Sequence, residues 1–449
     1  MLQTRPQKLD PISVNLDPES SPSSSLEETA SDDPPDGGKA WIVVLGSSLA
    51  LFSTTGVINA YGFFQSYYTD VLLSQSSSTT ISLIGALQIC LVYAGGPITG
   101  KLFDAYGLKI LLPLGSFLVV LSLMLISLCQ QNRPYQFFLV QGVLSGIGNS
   151  MIFTPAVAVM GHWFKRRRAY ALGIVVAGSS LGGVVYPIML QQLKDRVGFP
   201  WAVRISGFVT LACLIIAGFT IRTRLPTHKD TIKLSQLVDL NGFRDLRYTL
   251  ATMSSFLYFY ALFIPYFYIE EYARFSGVPL SVSPYLLAII NGCGIPARII
   301  PGFLGDRFGI LQIMVPSTVF SGGIVLALWL PSRGSVPVIL FSALYGLFSS
   351  SYVSMLPAYV AVITPVENFG ARLGTMYFFV AVACLVGTPT AGAFVPSFTQ
   401  EHFNHLIIFT GALLLLSAIL LGLAHTTTWK RGHSDMPYID TIVSLFCEY

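Results

Sequence analysis

Twelve runs of about twenty apolar residues recur along this chain, and no other feature constrains its fold as tightly. In hydrocarbon there is no water to pair with a free backbone N–H or C=O, so such runs must cross as helices whose backbone bonds are all internal. They fall at 41–61, 81–100, 109–129, 135–160, 169–190 and 203–221, then, after a longer polar link, at 248–269, 284–304, 310–330, 336–360, 372–395 and 405–425. The remaining residues could not clothe a soluble enzyme of this size. Only 11% of the 449 residues are charged and 53% are apolar, whereas a water-facing domain carries roughly 25% charged residues. The expected fold is therefore an all-α polytopic membrane protein with six plus six spans.

Lysine and arginine bias a loop toward the cytoplasm, so their distribution tests this map. Of the 26, Arg133, Lys194, Arg196, Arg204, Arg274 and Arg333 fall on the side opposite the N-terminus, Arg298 falls inside a span, and the rest lie on the N-terminal side. That asymmetry predicts cytoplasmic termini and an even number of spans. The net charge of +4 belongs to these loops and is no nucleic-acid footprint. The map divides the chain into a disordered cytoplasmic tail, 1–35, rich in Ser, Pro and acidic residues; a first bundle, 36–221; a basic linker, 222–247; a second bundle, 248–425; and a cytoplasmic tail, 426–449. The linker is read either as a connector or as a segment that engages anionic lipid. The six cysteines are widely spaced and read as packing residues, with no metal site and no cofactor expected.

The two halves share a signature. Gly100-Lys101-Leu102-Phe103-Asp104 followed by Gly107 matches Gly302-Phe303-Leu304-Gly305-Asp306 followed by Gly309, 202 residues on. Gly173 after Ala171-Leu172 and Gly374 after Arg372-Leu373 repeat at nearly the same offset. A duplicated six-helix unit places a solute site near the bilayer midplane between its halves, which expose it alternately to either side.

Gly100, Asp104, Gly107 and Lys109 stand in an order that resembles the loop motif of the major facilitator superfamily. Within it, the chain resembles the monocarboxylate porter family, fungal branch, on two stretches: Asp36-Gly37-Gly38-Lys39-Ala40-Trp41, and His162 to Gly183 with its aromatic and basic start and glycine-rich continuation. The resemblance implies a secondary transporter of two pseudo-symmetric six-helix bundles. It also implies that Arg298, matching the family's arginine in the eighth helix, binds or senses a substrate carboxylate. Two departures count against the proton relay of animal members: Asn59 stands where they have Lys, and Gly294 where they have Asp. Proton coupling is left open.

The residues themselves point the same way. A charge inside a span is costly, and Arg298 is the one Lys, Arg, Asp or Glu well inside any expected span. Its guanidinium can grip a carboxylate with two parallel hydrogen bonds, or it can snorkel to the headgroups. Asn59 and Asn291, with Tyr258 of an aromatic seventh span and Tyr352 of a Ser- and Tyr-rich tenth, complete the expected substrate set. Asp36, Gly100, Asp104, Gly107, Lys109, Arg166, Arg167 and Asp306 form the expected gating set at the cytoplasmic loops. Asp36, Asp70, Glu270 and Glu271 read as solvated span ends, the alternative for the Glu270-Glu271 pair being a shared proton if a pocket reaches it, since adjacent like charges raise a pKa. No nucleotide-binding loop is present, so solute movement is not expected to be driven by ATP. The expected partners are a small organic solute, with a carboxylate as one candidate, and the lipid bilayer of the plasma membrane or, alternatively, the vacuole. Export of a secondary metabolite and uptake of a monocarboxylate nutrient are the two directions open, and a non-transporting membrane sensor is the alternative class.

Overall fold

The computed structural model describes residues 36–224, 239–364, 369–396 and 399–435. Among these described residues, eleven helices are long and apolar enough to cross a membrane: α2 Ser78–Phe103, α3 Leu108–Ile126, α4 Pro134–Trp163, α5 Arg168–Val197, α6 Phe199–Thr220, α7 Leu246–Phe275, α8 Ser283–Phe308, α9 Ile310–Trp329, α10 Ser335–Ile363, α11 Gly370–Phe394 and α12 Gln400–Thr426. Before them, α1 begins as Ala40–Ser53 and continues in short pieces, Thr55–Asn59, Tyr61–Tyr67 and the π-helical Tyr68–Leu72. No strand occurs among the described residues.

The breaks in α1 have a local cause. Ser53, Thr54 and Thr55 each donate a hydroxyl hydrogen to the carbonyl four residues earlier, at 2.8, 2.7 and 3.0 Å. Such back-bonding competes with the helix ladder and bends it. Thr54 has left helical geometry, with φ −108° and ψ −81°. Gly56 and Gly182 then let α1 and α5 approach so closely that a side chain on either glycine would collide with backbone of the other helix.

Polar and apolar residues are sorted as a membrane body requires. Phe117, Phe208, Phe219 and Ile419 are 55–74% exposed on the outer surface, where lipid would cover them. Asn59, Gln65, Gln88, Asn149, Asn291 and Arg298 are all buried. α5 packs along α8, and α2 along α11, so each contact joins a helix of the first half to one of the second. The repeated loop glycines adopt the same unusual backbone: Gly107 has φ +64° and Gly309 φ +100° at the α2–α3 and α8–α9 turns. An L side chain is strained at either position, which explains why glycine marks both copies of the signature.

Some expected boundaries shift. The last helix runs on to Asp435, past the expected end at 425. The segment 1–35, most of the linker (225–238) and residues 436–449 lie outside the described residues. At the far end of the linker, Asp239 pairs with Arg372 of α11 at 3.2 Å, tying the approach to α7 against the second half.

Candidate functional site

Where α1, α5, α7, α8 and α10 converge with the middle of α2, a cavity of about 40 Å³ is lined by Asn59, Tyr93, Ser179, Tyr266, Arg298 and Ser350, with Thr55 and apolar residues filling the rest of the wall. Arg298 is 5% exposed. Its Nη1 donates to the Val176 carbonyl at 3.1 Å and to Ser179 Oγ at 2.6 Å, both on α5. The guanidinium therefore points across to the opposite half and does not snorkel toward headgroups. Its Nε is buried and has no partner, and the same is true of Ser350 Oγ on the same cavity wall. Ion pairs among the described residues include Lys194–Asp195, Arg247–Asp245, Arg274 with Asp70 and Glu270, and Arg372–Asp239, and Arg298 is in none of these.

Asn59 lines the same cavity and donates from Nδ2 to the Ser179 carbonyl at 3.2 Å, so Asn59, Ser179 and Arg298 meet on one wall. Asn291 lies apart from them. It donates to the Leu287 carbonyl of its own helix at 3.0 Å, its Oδ1 is unpaired, and it packs against Gly183. Tyr258 and Tyr352 stack on each other at 3.8 Å within the second half. Tyr258 donates to the Ser349 carbonyl at 2.7 Å, and Tyr352 bonds Ser254 and Ser255. The tyrosines on the cavity wall are instead Tyr93 and Tyr266. Nothing in the local sequence separates them from other span tyrosines, because only the crossing of helices decides which ring faces the gap.

A larger cavity of about 380 Å³ lies between the central one and the Gly107 end, lined by Gly100, Lys101, Thr154, His162, Arg168 and Tyr377 among others. Phe153 borders both cavities. Its ring meets Tyr93 at 5.8 Å, and Tyr93 meets Tyr377 of α11 at 5.2 Å, so three aromatic rings form the partition. The smaller space holds a few waters at most, whereas a drug-sized ligand needs several hundred Å³. From the larger cavity, a metabolite reaches Arg298 past these rings.

The expected gating residues sort into two contacts. Asp36 accepts from the backbone N–H of Lys165, Arg166 and Arg167 at 2.9, 3.1 and 3.3 Å, so the Asp-Gly-Gly and basic-loop motifs form one structure. Arg166 and Arg167 meet Asp36 through their backbone. Burial tends to raise the Asp36 carboxyl, but the three N–H donors and the Arg166 charge outweigh it and hold the group below its ordinary range. Asp306 Oδ2 of α8 accepts the N–H of Tyr170 at 3.0 Å, in the first turn of α5. A carboxylate from the second half thus caps a helix of the first. Lys109 is exposed, and the side chain of Asp104 lies outside the described residues.

At the opposite end, Asp70 is exposed as expected from sequence, whereas the other two carboxylates expected to be solvated are buried. Glu270 and Glu271 of α7 are 6% and 9% exposed. Arg274 bridges Glu270 at 2.6 Å and Asp70 of α1 at 2.7 Å, and Ser66 donates to Glu270 at 3.1 Å. The sequence signal was the one-turn spacing Glu270–Arg274; its partners on α1 were not legible.

The sequence pattern of the Major Facilitator Superfamily matches residues 43–335. An Ophiocordyceps protein described as MFS-type transporter 1 is 40% identical over 87% of this chain and 86% of its own length. The aspyridones efflux protein apdF of Emericella nidulans is 34% identical over 92% of this chain and 84% of its own. Among solved structures, the human organic anion transporter MFSD10 (TETRAN) superposes with a TM-score of 0.66 at 16% identity, covering 87% of this chain and 100% of that one. The fold is thus that of a solute carrier, and with relatives so similar over nearly their whole length the chain belongs to the Major Facilitator Superfamily: it is an integral membrane transporter of small organic solutes and not an enzyme.

Proposed function

We propose that this transporter is a monocarboxylate-porter-like carrier that exports a secondary metabolite bearing a carboxylate or similar anionic oxygen group, bound at Arg298. The observation that carries the reading is the state of Arg298: buried beside a cavity between the halves, paired with no carboxylate among the described residues, and holding an unpartnered Nε in a cavity wall that also carries the unpartnered Ser350 hydroxyl. A buried guanidinium in that condition is stabilised by an incoming anion, which can take two parallel hydrogen bonds from it. Asn59 and Tyr266 shape the remaining wall. Similarity to relatives such as the aspyridones efflux protein favours export.

In this reading the segments 36–221 and 248–425 rock about the Arg298 level, the termini and the Gly107 end face the cytoplasm, and the carrier sits in the plasma membrane. The solute enters the 380 Å³ cavity, displaces the Tyr93–Phe153–Tyr377 partition and reaches Arg298. The Asp306–Tyr170 contact and the Asp36 cap hold the entry end together, whereas Asn291, Tyr258 and Tyr352 support helices behind the wall.

The test is a metabolite comparison of cells with the protein, without it, and with Arg298→Ala. One anionic compound should build up inside cells that lack the protein or carry the variant, and fall in the medium. A compound retained outside the deficient cells would reverse the direction, and full rescue by Arg298→Ala would remove Arg298 from the site.

A further inference from the structure

We propose that Glu271 is a proton-binding site whose occupancy lets the α1–α7 end of the carrier close. The proposal goes beyond the reading above and rests on it only in taking the protein as an alternating-access carrier. Relative to the large cavity, this end is the far one, and three polar contacts between α1 and α7 hold it shut: Arg274 to Asp70, Ser66 to Glu270, and Gln65 to Glu271 at 3.4 Å.

The bonds in this cluster leave one hydrogen missing. Arg274 is shared between Asp70 and Glu270, and Ser66 adds its hydroxyl to Glu270. Glu271 receives only the amide of Gln65, through Oε1. Its Oε2 is buried without a partner, and so is Oε1 of Gln65, a residue with no exposed surface. Two buried acceptors thus sit on neighbouring side chains with no donor for either, an arrangement that costs free energy unless a donor is supplied. A proton on the Glu271 carboxyl supplies it: the new O–H can donate to Gln65, and the second negative charge beside Glu270 disappears. An alkali cation would need a fuller shell of oxygens than these two.

The surroundings provide no other counter-charge. On α7, Glu271 faces Glu270 and Arg274; from α1 it faces Asp70 and Tyr61 besides Gln65. Tyr268 is the remaining titratable neighbour. The Tyr61 hydroxyl donates to the Ile81 carbonyl on α2, and the Tyr268 hydroxyl donates to the Thr388 carbonyl on α11 at 3.3 Å and lies beside the Gln65 side chain, so neither reaches Glu271 Oε2. When the proton leaves, Glu271 and Glu270 repel each other and hydration of the bare carboxylate rewards separation of α1 from α7. When it returns, the end can close and the carrier can reopen toward the large cavity.

The test uses the purified full-length protein and no solute. Infrared titration from about pH 5 to about pH 9 should show a protonated-carboxyl band that is lost with base. The band should be absent in Glu271→Gln and kept in Asp70→Asn. Spin labels at Val71 and Phe275, in a variant whose native cysteines are replaced by serine, should move apart as pH rises. That shift should vanish in Glu271→Gln, whose amide can keep the bond to Gln65. A band that survives Glu271→Gln, a pH response identical in both proteins, or a label distance that follows sodium against choline at constant pH would each overturn the proposal. None of these readouts involves Arg298, so failure here and failure of the export reading are distinguishable.

Discussion

Arg298 on α8 donates to Ser179 Oγ on α5 at 2.6 Å, and that bond joins the two halves of the carrier at the level of its central cavity. Replacing Arg298 with Ala should lower flux at least about tenfold, since one charge-assisted hydrogen bond contributes about 1.5–3 kcal/mol. Lysine should rescue little, because its point charge lacks the planar fork. Surface amount and thermal midpoint measured beside flux separate a lost binding group from a lost fold.

Gly173 on α5 lies against the backbone carbonyl of Arg298, so a methyl group there meets atoms that cannot rotate away. Gly173→Ala should cost about 1–3 kcal/mol of stability and displace Arg298, lowering flux as well. Gly323 has open space around its Cβ position, and Gly323→Ala should unfold no earlier than the parent in a detergent melt.

Asp306 caps α5 from the other half, so Asp306→Ala should weaken the closed Gly107 end by about 1 kcal/mol. Asp306→Asn keeps an acceptor and should fall between the parent and Ala. Cross-linking between α5 and α8 at this level would read the difference, and equal yields in all three proteins would assign the cap no role in closure.

The Asp36 carboxyl titrates below its ordinary value of 3.8, so its contribution is complete above that value and is lost as pH falls through the lower folded one. Melts between neutral pH and about pH 5 should therefore show no step from Asp36. Below that range, the parent should lose its advantage over Asp36→Asn. A gap between the two that widens with acid would contradict the assignment.

The apolar runs specified the helices, because hydrocarbon tolerates few other backbones. The loop glycines were legible for an equally local reason: Gly107 and Gly309 occupy conformations that an L side chain resists. Arg298 was legible as a charge where charge is costly. Asn59 joined it, whereas Asn291, Tyr258 and Tyr352 packed behind the wall. The burial of Glu270 and Glu271 contradicted the expectation of solvated span ends, because a residue's distance from a helix end says nothing about what another helix places over it.

By itself, the sequence determined that this chain lies in a membrane, that its spans are helical, that its loop turns need glycine, and that one arginine had to find polar company in an apolar body. Each follows from chain chemistry within a turn or two. Only the tertiary structure decided that Arg298 reaches Ser179 across the halves, that Tyr93 and Tyr266 face the cavity, and that Gln65 Oε1 and Glu271 Oε2 are buried without partners. Those facts depend on where helices far apart in sequence cross, and there a rotation or shift of a few ångströms exchanges one side chain for its neighbour.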